Sequence, residues 1–325
     1  MSVDPQMQAV LDALASFDAP APNTLPAAEA RRGPSPADAV LKVLASQARG
    51  SAPEPVADVR DFVIPGPAGN ILARGYTPAG AGPFPVLVYF HGGGWVIADL
   101  DTYDSSARAL SNAAECIVVS CHYRQAPEHP YPAAHEDAVA ATRWIMAHAA
   151  ALGGDPDRVA IGGESAGGNL ATTTCLEFIK HGWPLPLHQL LVYPVVDADF
   201  ETPSYVANAD AKPLGRELMQ WFWDQYAPDP ALRREAHATP LHAELSGLPP
   251  ATVITAEIDP LCSEGEAYAE AMKLAGVEVH ARRFSGVAHE FFGMGAVVDQ
   301  ANEAVELGAA DLRRAFSRVP VANVR

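Results

Sequence analysis

Apolar residues along this chain gather in short, nearly unbroken runs, separated by stretches where they recur every three or four positions. PVLVYF (85–90), CIVVSC (116–121), RVAIGG (158–163), HQLLVYPVV (188–196), ATVITAE (251–257) and VEVHARRF (277–284) have strand length. The nearly all-apolar runs among them suit strands buried on both faces. VRDFVI (59–64) and ILARGYTP (71–78) flank PGPAGN, which predicts a hairpin. Helical spacing appears over 101–114, 133–152, from the residue after Ser165 to about Lys180, and over 264–276. GGDPDR (153–158) reads as a turn, and HGWP (181–184) breaks the third helix. Strands alternating with helices predict an α/β protein with a mostly parallel sheet and helices on both faces.

Two regions leave this rhythm. Residues 197–240 hold Tyr205, Trp221, Phe222, Trp223 and Tyr226 but no strand pattern, and read as an insertion over the carboxyl ends of the strands. The first 55 residues are rich in Ala and Pro. Within them, 1–20 has helical spacing of Leu and Val and neither the basic start nor the continuous apolar core of a signal peptide. Together the two regions predict a lid. The expected organisation is an N-terminal helical cap segment (1–55), a core (56–196 and 241–325) and a cap insertion (197–240).

Composition narrows the function. With 39 acidic and 22 basic residues the net charge is −17, which repels phosphate backbones and anionic lipid, so nucleic-acid and membrane partners are not expected. The doublet Arg31-Arg32 reads as a solvated pair. No run reaches the apolar length of a membrane span. Cys116, Cys121, Cys175 and Cys262 show neither CxxC nor metal spacing and read as reduced core thiols, pointing to the cytoplasm.

Gly163-Glu164-Ser165-Ala166-Gly167 fits G-x-S-x-G where a strand passes into a helix. Such a serine sits on a sharp turn, its hydroxyl exposed at the strand's end, with small neighbours letting strand and helix pass closely. The following amide, of Ala166, points the same way at a helix N-terminus. A phosphate loop is excluded because Asn169-Leu170 follows where Lys-Ser/Thr is needed, and no G-x-G-x-x-G register fits. The pentapeptide alone leaves open a glycine-rich turn whose serine merely caps the helix.

A second motif decides between them. His91-Gly92-Gly93-Gly94-Trp95 follows a strand, and its glycines let backbone amides turn inward. The amides of Gly93, Gly94 and Ala166 are the expected oxyanion hole. His91 is read as an anchor of that loop. In this architecture the acid and the histidine follow the serine on loops after late strands. Asp259 follows one such strand and His289 the last, completing the expected triad of Ser165, Asp259 and His289. Asp197 and Asp199 also follow a strand but fit a capping role. HEFFG lacks the second histidine of a zinc motif.

With these motifs in this order, the chain resembles the hormone-sensitive-lipase-like bacterial carboxylesterases of the α/β-hydrolase fold. HGGGW (91–95), HYRQAPEHPYPAAHEDA (122–138), GESAGGNLA (163–171), IDPLCSEGEAYAEAMKLAGV (258–277) and SGVAHEFFGM (285–294) carry the likeness. The resemblance implies a helical cap, a cytoplasmic location, no cofactor or metal, and hydrolysis of small short-chain esters. It places Arg124 and Glu128 in a braced loop. Departures stand at Glu164, where Asp is usual, at Cys262-Ser263, where Arg-Asp is common, and at Glu290, where Gly is usual. Glu290 either makes a local hydrogen bond or lines the site and alters substrate preference.

A serine carboxylesterase is the leading expectation. An amidase or deacetylase with the same triad, and a ligand-binding protein on an inactive hydrolase scaffold, stand as alternatives. The presence of His289 disfavours the last. The final strand is expected at a sheet edge, where a homodimer can form.

Overall fold

The computed structural model describes residues 2–318. Three helices come first: α1 (Pro5–Ala15), α2 (Ala27–Ala30) and α3 (Pro36–Ser46). Asp4 caps α1 by accepting from the amides of Gln6 and Met7. A capping box starts α3: Ser35 Oγ accepts from Asp38 N, and the Asp38 carboxylate accepts from Ser35 N. The predicted hairpin follows as β1 (Asp58–Gly66) and β2 (Gly69–Thr77). The core then runs β3 (Phe84–Phe90), α4 (Asp104–Ala114), β4 (Ile117–His122), α5 (Ala133–His148), β5 (Gly154–Glu164), α6 (Ala166–His181) and β6 (Gln189–Val192). The insertion holds α7 (Pro203–Ala207) and α8 (Arg216–Tyr226), and the chain closes with β7 (Ala251–Ile258), α9 (Cys262–Leu274), β8 (Val279–Ala288) and α10 (Asp299–Phe316).

All eight predicted strands form one sheet, ordered β1-β2-β4-β3-β5-β6-β7-β8. The pairings of β2 with β1 and β4 are antiparallel; all others are parallel. In β3, Val86, Val88 and Phe90 face one core while Leu87 and Tyr89 face the other, and all five are fully buried. Full burial of one such side chain is worth about 1.5–3 kcal/mol, so neither face tolerates a polar run. The first core packs under α5, α6 and α9; the second packs under α4 and α10 together with α1 and α3.

Several local expectations are corrected. The strand expected over 188–196 stops at Val192, because Tyr193 takes φ +34° and Pro194 removes a ladder donor. The last strand runs on to Ala288 rather than ending at Phe284. The expected turn at 153–158 is a register break inside β5: Gly154 pairs with Phe84, and regular pairing resumes at Val159 opposite Val86. Helix α10 was not anticipated. Its buried stripe (Ala301, Ala304, Val305, Gly308, Leu312, Ala315) is mostly small residues, which mute the apolar signal.

The Arg31-Arg32 pair is not simply solvated. Arg32 is exposed, but Arg31 donates from Nε to the Val96 carbonyl (2.7 Å), from Nη2 to the Ala126 carbonyl (2.8 Å), and to both carboxylate oxygens of Glu128. Arg124 is held by Asp137 and Glu136, so the braced reading of the 122–138 loop fits its contacts. The end of α2 and the loops after β3 and β4 thereby converge at the carboxyl ends of those two strands.

Candidate active site

β5 ends at Glu164 and α6 begins at Ala166, leaving Ser165 alone in the turn with φ +56° and ψ −119°. That conformation is expensive for a residue with a Cβ and occurs where surrounding structure enforces it. The enforcement is visible: a Cβ on Gly167 would meet the Phe90 carbonyl oxygen at 2.0 Å, so helix and strand cross at glycine-only distance. Ser165 makes no side-chain cap to α6, which removes the reading of a mere helix-capping serine.

Its hydroxyl lies 3.0 Å from His289 Nε2, although 124 residues separate them. His289 follows the end of β8, and its Nδ1 lies 2.7 Å from Asp259 Oδ2, at the end of β7. An ionised carboxylate only accepts, so Nδ1 carries the hydrogen and Nε2 is left as acceptor for the serine proton. Asp259 Oδ1 accepts from the Leu261 amide at 2.9 Å, which fixes the carboxylate plane. Asp259 is fully buried, and Ser165 and His289 nearly so. Burial opposes a charged imidazole, but the carboxylates of Asp259, Glu290 and Glu164 outweigh it and hold the His289 pKa above its ordinary value.

The glycine loop sits beside the hydroxyl's turn. Gly93 takes φ +94°, and a Cβ there would lie 2.2 Å from the Ile97 carbonyl oxygen, so only glycine fits. Val96 N and Ile97 N both donate to the Gly93 carbonyl, closing the loop. Among the described residues no hydrogen bond to the protein satisfies the Gly93 or Gly94 amide, and the Ala166 amide opens its helix without an intrahelical partner. His91 anchors as expected: Nδ1 bonds the Gly92 carbonyl, Nε2 bonds His122 Nδ1 at 3.0 Å, and the ring stacks on Tyr123. Burial, with His122 adding to it, lowers its pKa to about 3 and keeps it neutral.

Over this centre lies α8. The Phe222 ring packs against Gly94, and Tyr226 stacks on Trp95 with ring centroids 3.8 Å apart. Asp197 and Asp199 accept from the amides of Ala198 and Glu201 and serve local turns. Glu264, on α9, accepts from the amides of Val196 and Asp197.

Beside the triad lie two acids that the sequence marked as departures and a group of phenols that it did not single out. Glu164 is fully buried and accepts from the hydroxyls of Tyr89 and Tyr193; burial and the nearby Glu290 raise its pKa to about 7. Glu290 takes φ +70° and accepts from Tyr103 Oη at 2.6 Å. The Tyr193 ring packs on His289, centroids 4.4 Å apart. The two glutamates were visible as departures from the resembling family. The tyrosines read only as strand and helix-packing residues.

A family model described as the alpha/beta hydrolase fold matches residues 87–293. The chain belongs to the α/β-hydrolase fold family. The carboxylesterase NlhH of Mycobacterium tuberculosis is 45% identical over 238 residues, 71% of this chain and 74% of that one. The esterase LipI of the same organism is 42% identical over 260 residues, 78% and 81% of the two chains. The solved hyperthermophilic esterase of the archaeon Pyrobaculum calidifontis superposes with a TM-score of 0.87 at 36% identity, over 97% of this chain and 99% of that one. The likeness to bacterial carboxylesterases drawn from five motifs thus extends over most of this hydrolase-fold chain. Among the described residues no helix is long and apolar enough to cross a membrane, and no three His, Cys, Asp or Glu side chains group as metal ligands.

Proposed function

We propose that this protein is a serine carboxylesterase that cleaves small, uncharged, short-chain esters through an acyl-enzyme. The observation that carries this is the unbroken chain from Ser165 Oγ through His289 to Asp259, beside amides with no other partner. His289 Nε2 takes the serine proton as Oγ attacks the ester carbonyl. The oxyanion is received by the amides of Gly93, Gly94 and Ala166, each such donor being worth about 2.7–4 kcal/mol. Collapse breaks the bond to the alcohol, which leaves with the proton from Nε2. Water then repeats the sequence on the acyl-serine.

The preference for short acyl chains is supported by Phe222, whose ring closes the space over Gly94. Asp259, Glu164 and Glu290 place negative charge around the triad, which disfavours an anionic substrate and supports neutral esters. A cytoplasmic location fits four free, buried cysteines. A homodimer through β8 is supported by its position at the sheet edge, although Arg282 and Arg283 there already pair with Glu303 and Glu266. Light scattering on the purified protein tests the dimer.

The functional test is covalent labelling by a fluorophosphonate, with a nitrophenyl ester series of increasing acyl length and matched anilides. Labelling of wild type, its loss in Ser165→Ala, and turnover of acetate and butyrate esters over anilides are expected. An unlabelled wild-type enzyme would sink the proposal, and faster anilide turnover would reassign it to amides.

A further inference from the structure

We propose that Glu290 is a further catalytic residue of this site, orienting the water that splits the acyl-enzyme; this rests on the serine-esterase reading above. The first observation is geometric. Glu290 Oε1 lies 3.8 Å from His289 Nε2, the atom facing Ser165 Oγ. That is too long for a direct hydrogen bond, but one water reaches both atoms with legs of about 2.8 Å. The carboxylate is held there by Tyr103 Oη, 2.6 Å from the same oxygen.

Orienting the imidazole does not require it, because Asp259 already occupies Nδ1 at 2.7 Å. The two carboxylates also differ in access: the Asp259 side chain is fully enclosed, whereas that of Glu290 is 19% exposed. Residue 290 further adopts φ +70°, a conformation that costs a non-glycine residue about 1–2 kcal/mol. Strain retained beside reacting atoms marks a side chain with a task.

A small cavity reaches Glu290 from the side of α4, with no residue of α8 in its lining. Its volume is about 20 Å³, enough for one water, and Thr102, Tyr103, exposed Ser105, Glu164 and Glu290 line it together with α3. Ser106, itself buried, also lines it. A water held there against Glu290 is next to the carboxylate whose Oε1 lies 3.8 Å from His289 Nε2.

The step balances as follows. Water donates one hydrogen bond to His289 Nε2 and the other to Glu290 Oε1, which aims its lone pair at the acyl carbon. The C–O bond to water forms, the carbonyl pair moves to the oxyanion hole, and the proton facing His289 transfers to Nε2. Collapse breaks the bond to Ser165 Oγ, which takes the proton from Nε2, and the carboxylic acid departs. Acylation needs no such water, since the serine hydroxyl already faces Nε2. The two half-reactions should therefore respond differently to residue 290.

The test is stopped-flow and steady-state kinetics of the full chain with p-nitrophenyl acetate, each enzyme at the plateau of its own pH profile, with intact-mass detection of acetyl-Ser165. Glu290→Gln replaces a charge-assisted acceptor by a neutral one, so deacylation should fall about tenfold or more while acylation changes about threefold or less, and acyl-enzyme should accumulate. Tyr103→Phe, which frees the carboxylate, should move deacylation in the same direction by less. Matching unfolding temperatures separate these effects from misfolding. Equal losses in both half-reactions, or no loss in either, overturn the assignment of Glu290. A wild-type enzyme that never acylates at Ser165 overturns the esterase reading itself, and this one with it.

Discussion

Arg31 reaches from the N-terminal segment to the Val96 carbonyl at 2.7 Å, and so ties the cap to the loop that carries the Gly93 and Gly94 amides. Its guanidinium also holds the Ala126 carbonyl and Glu128. Arg31→Ala should destabilise the protein by about 1–3 kcal/mol, since two buried-side carbonyls lose a charged donor. It should also lower kcat/KM roughly tenfold by loosening the oxyanion loop. Arg31→Lys should not restore either, because an ammonium cannot span both carbonyls and a carboxylate. Glu128→Gln should cost little, its carboxylate being half exposed. Thermal unfolding and ester kinetics on the same preparations check all three.

Ser165 invites a separation of stability from activity. Ser165→Ala should lower kcat by roughly 10⁴- to 10⁶-fold, as losing a nucleophile does elsewhere. It keeps a Cβ at φ +56°, ψ −119°, and should leave the unfolding temperature nearly unchanged. Ser165→Gly should be as inactive but more stable by about 1 kcal/mol, the relieved strain exceeding the extra unfolded-state entropy of glycine. Denaturant titration of the two inactive variants decides it; equal stabilities would mean that the turn is not strained.

The strands and the positions of Ser165, Asp259 and His289 were legible because their signals are local. A parallel strand buried on both faces shows as an unbroken apolar run, and Ser165 and Asp259 each follow such a run; His289 follows the final edge strand, recognised by its place in the alternation. What escaped was carried by distance or by ambiguity. Arg31 meets Glu128 across 97 residues, so nothing near it separates a clasp from a solvated pair. Tyr89 and Tyr193 flank Glu164 only once β3, β5 and β6 lie side by side, and a tyrosine in an apolar run reads as a strand former whatever its hydroxyl does. Helix α10 hid in alanine and glycine, small enough to seat Gly308 against Leu190 but too weakly apolar to stand out.

The buried acids set the pH response. In the proposed mechanism His289 must be neutral to act as base, and its pKa lies above the ordinary value: burial opposes the charge, but Asp259, Glu290 and Glu164 favour it more strongly. Activity should therefore rise with pH through an apparent pKa above 6.5. Removing one negative charge destabilises the imidazolium and lowers that pKa, so Glu164→Gln should move the acid limb of kcat/KM to lower pH. Glu164 itself titrates near 7, raised by burial and by Glu290, so the limb belongs to the coupled group, with Tyr89, Tyr193 and Tyr103 facing it. A profile of kcat/KM against pH for wild type and Glu164→Gln measures the shift; an unmoved limb would show that Glu164 does not act on His289.

Phe222 and Gly94 provide a last prediction, on substrate length. The ring occupies the space into which a Cβ on Gly94 would project, at 2.2 Å. Phe222→Ala should cost about 3–5 kcal/mol, or less to the extent that α8 settles into the gap. The volume released lies over the oxyanion loop, so acyl chains too long for the wild type should become substrates, each newly accommodated methylene being worth about 1 kcal/mol in kcat/KM. Gly94→Ala alone should be inactive, since its methyl group collides with the ring. In the Phe222→Ala background the collision with the ring is gone while the φ +58° strain, about 1–2 kcal/mol, stays, so part of the activity should return. Nitrophenyl acetate, butyrate, hexanoate and octanoate across the four enzymes complete the cycle. An unchanged chain-length profile in Phe222→Ala would place the acyl group elsewhere, away from α8.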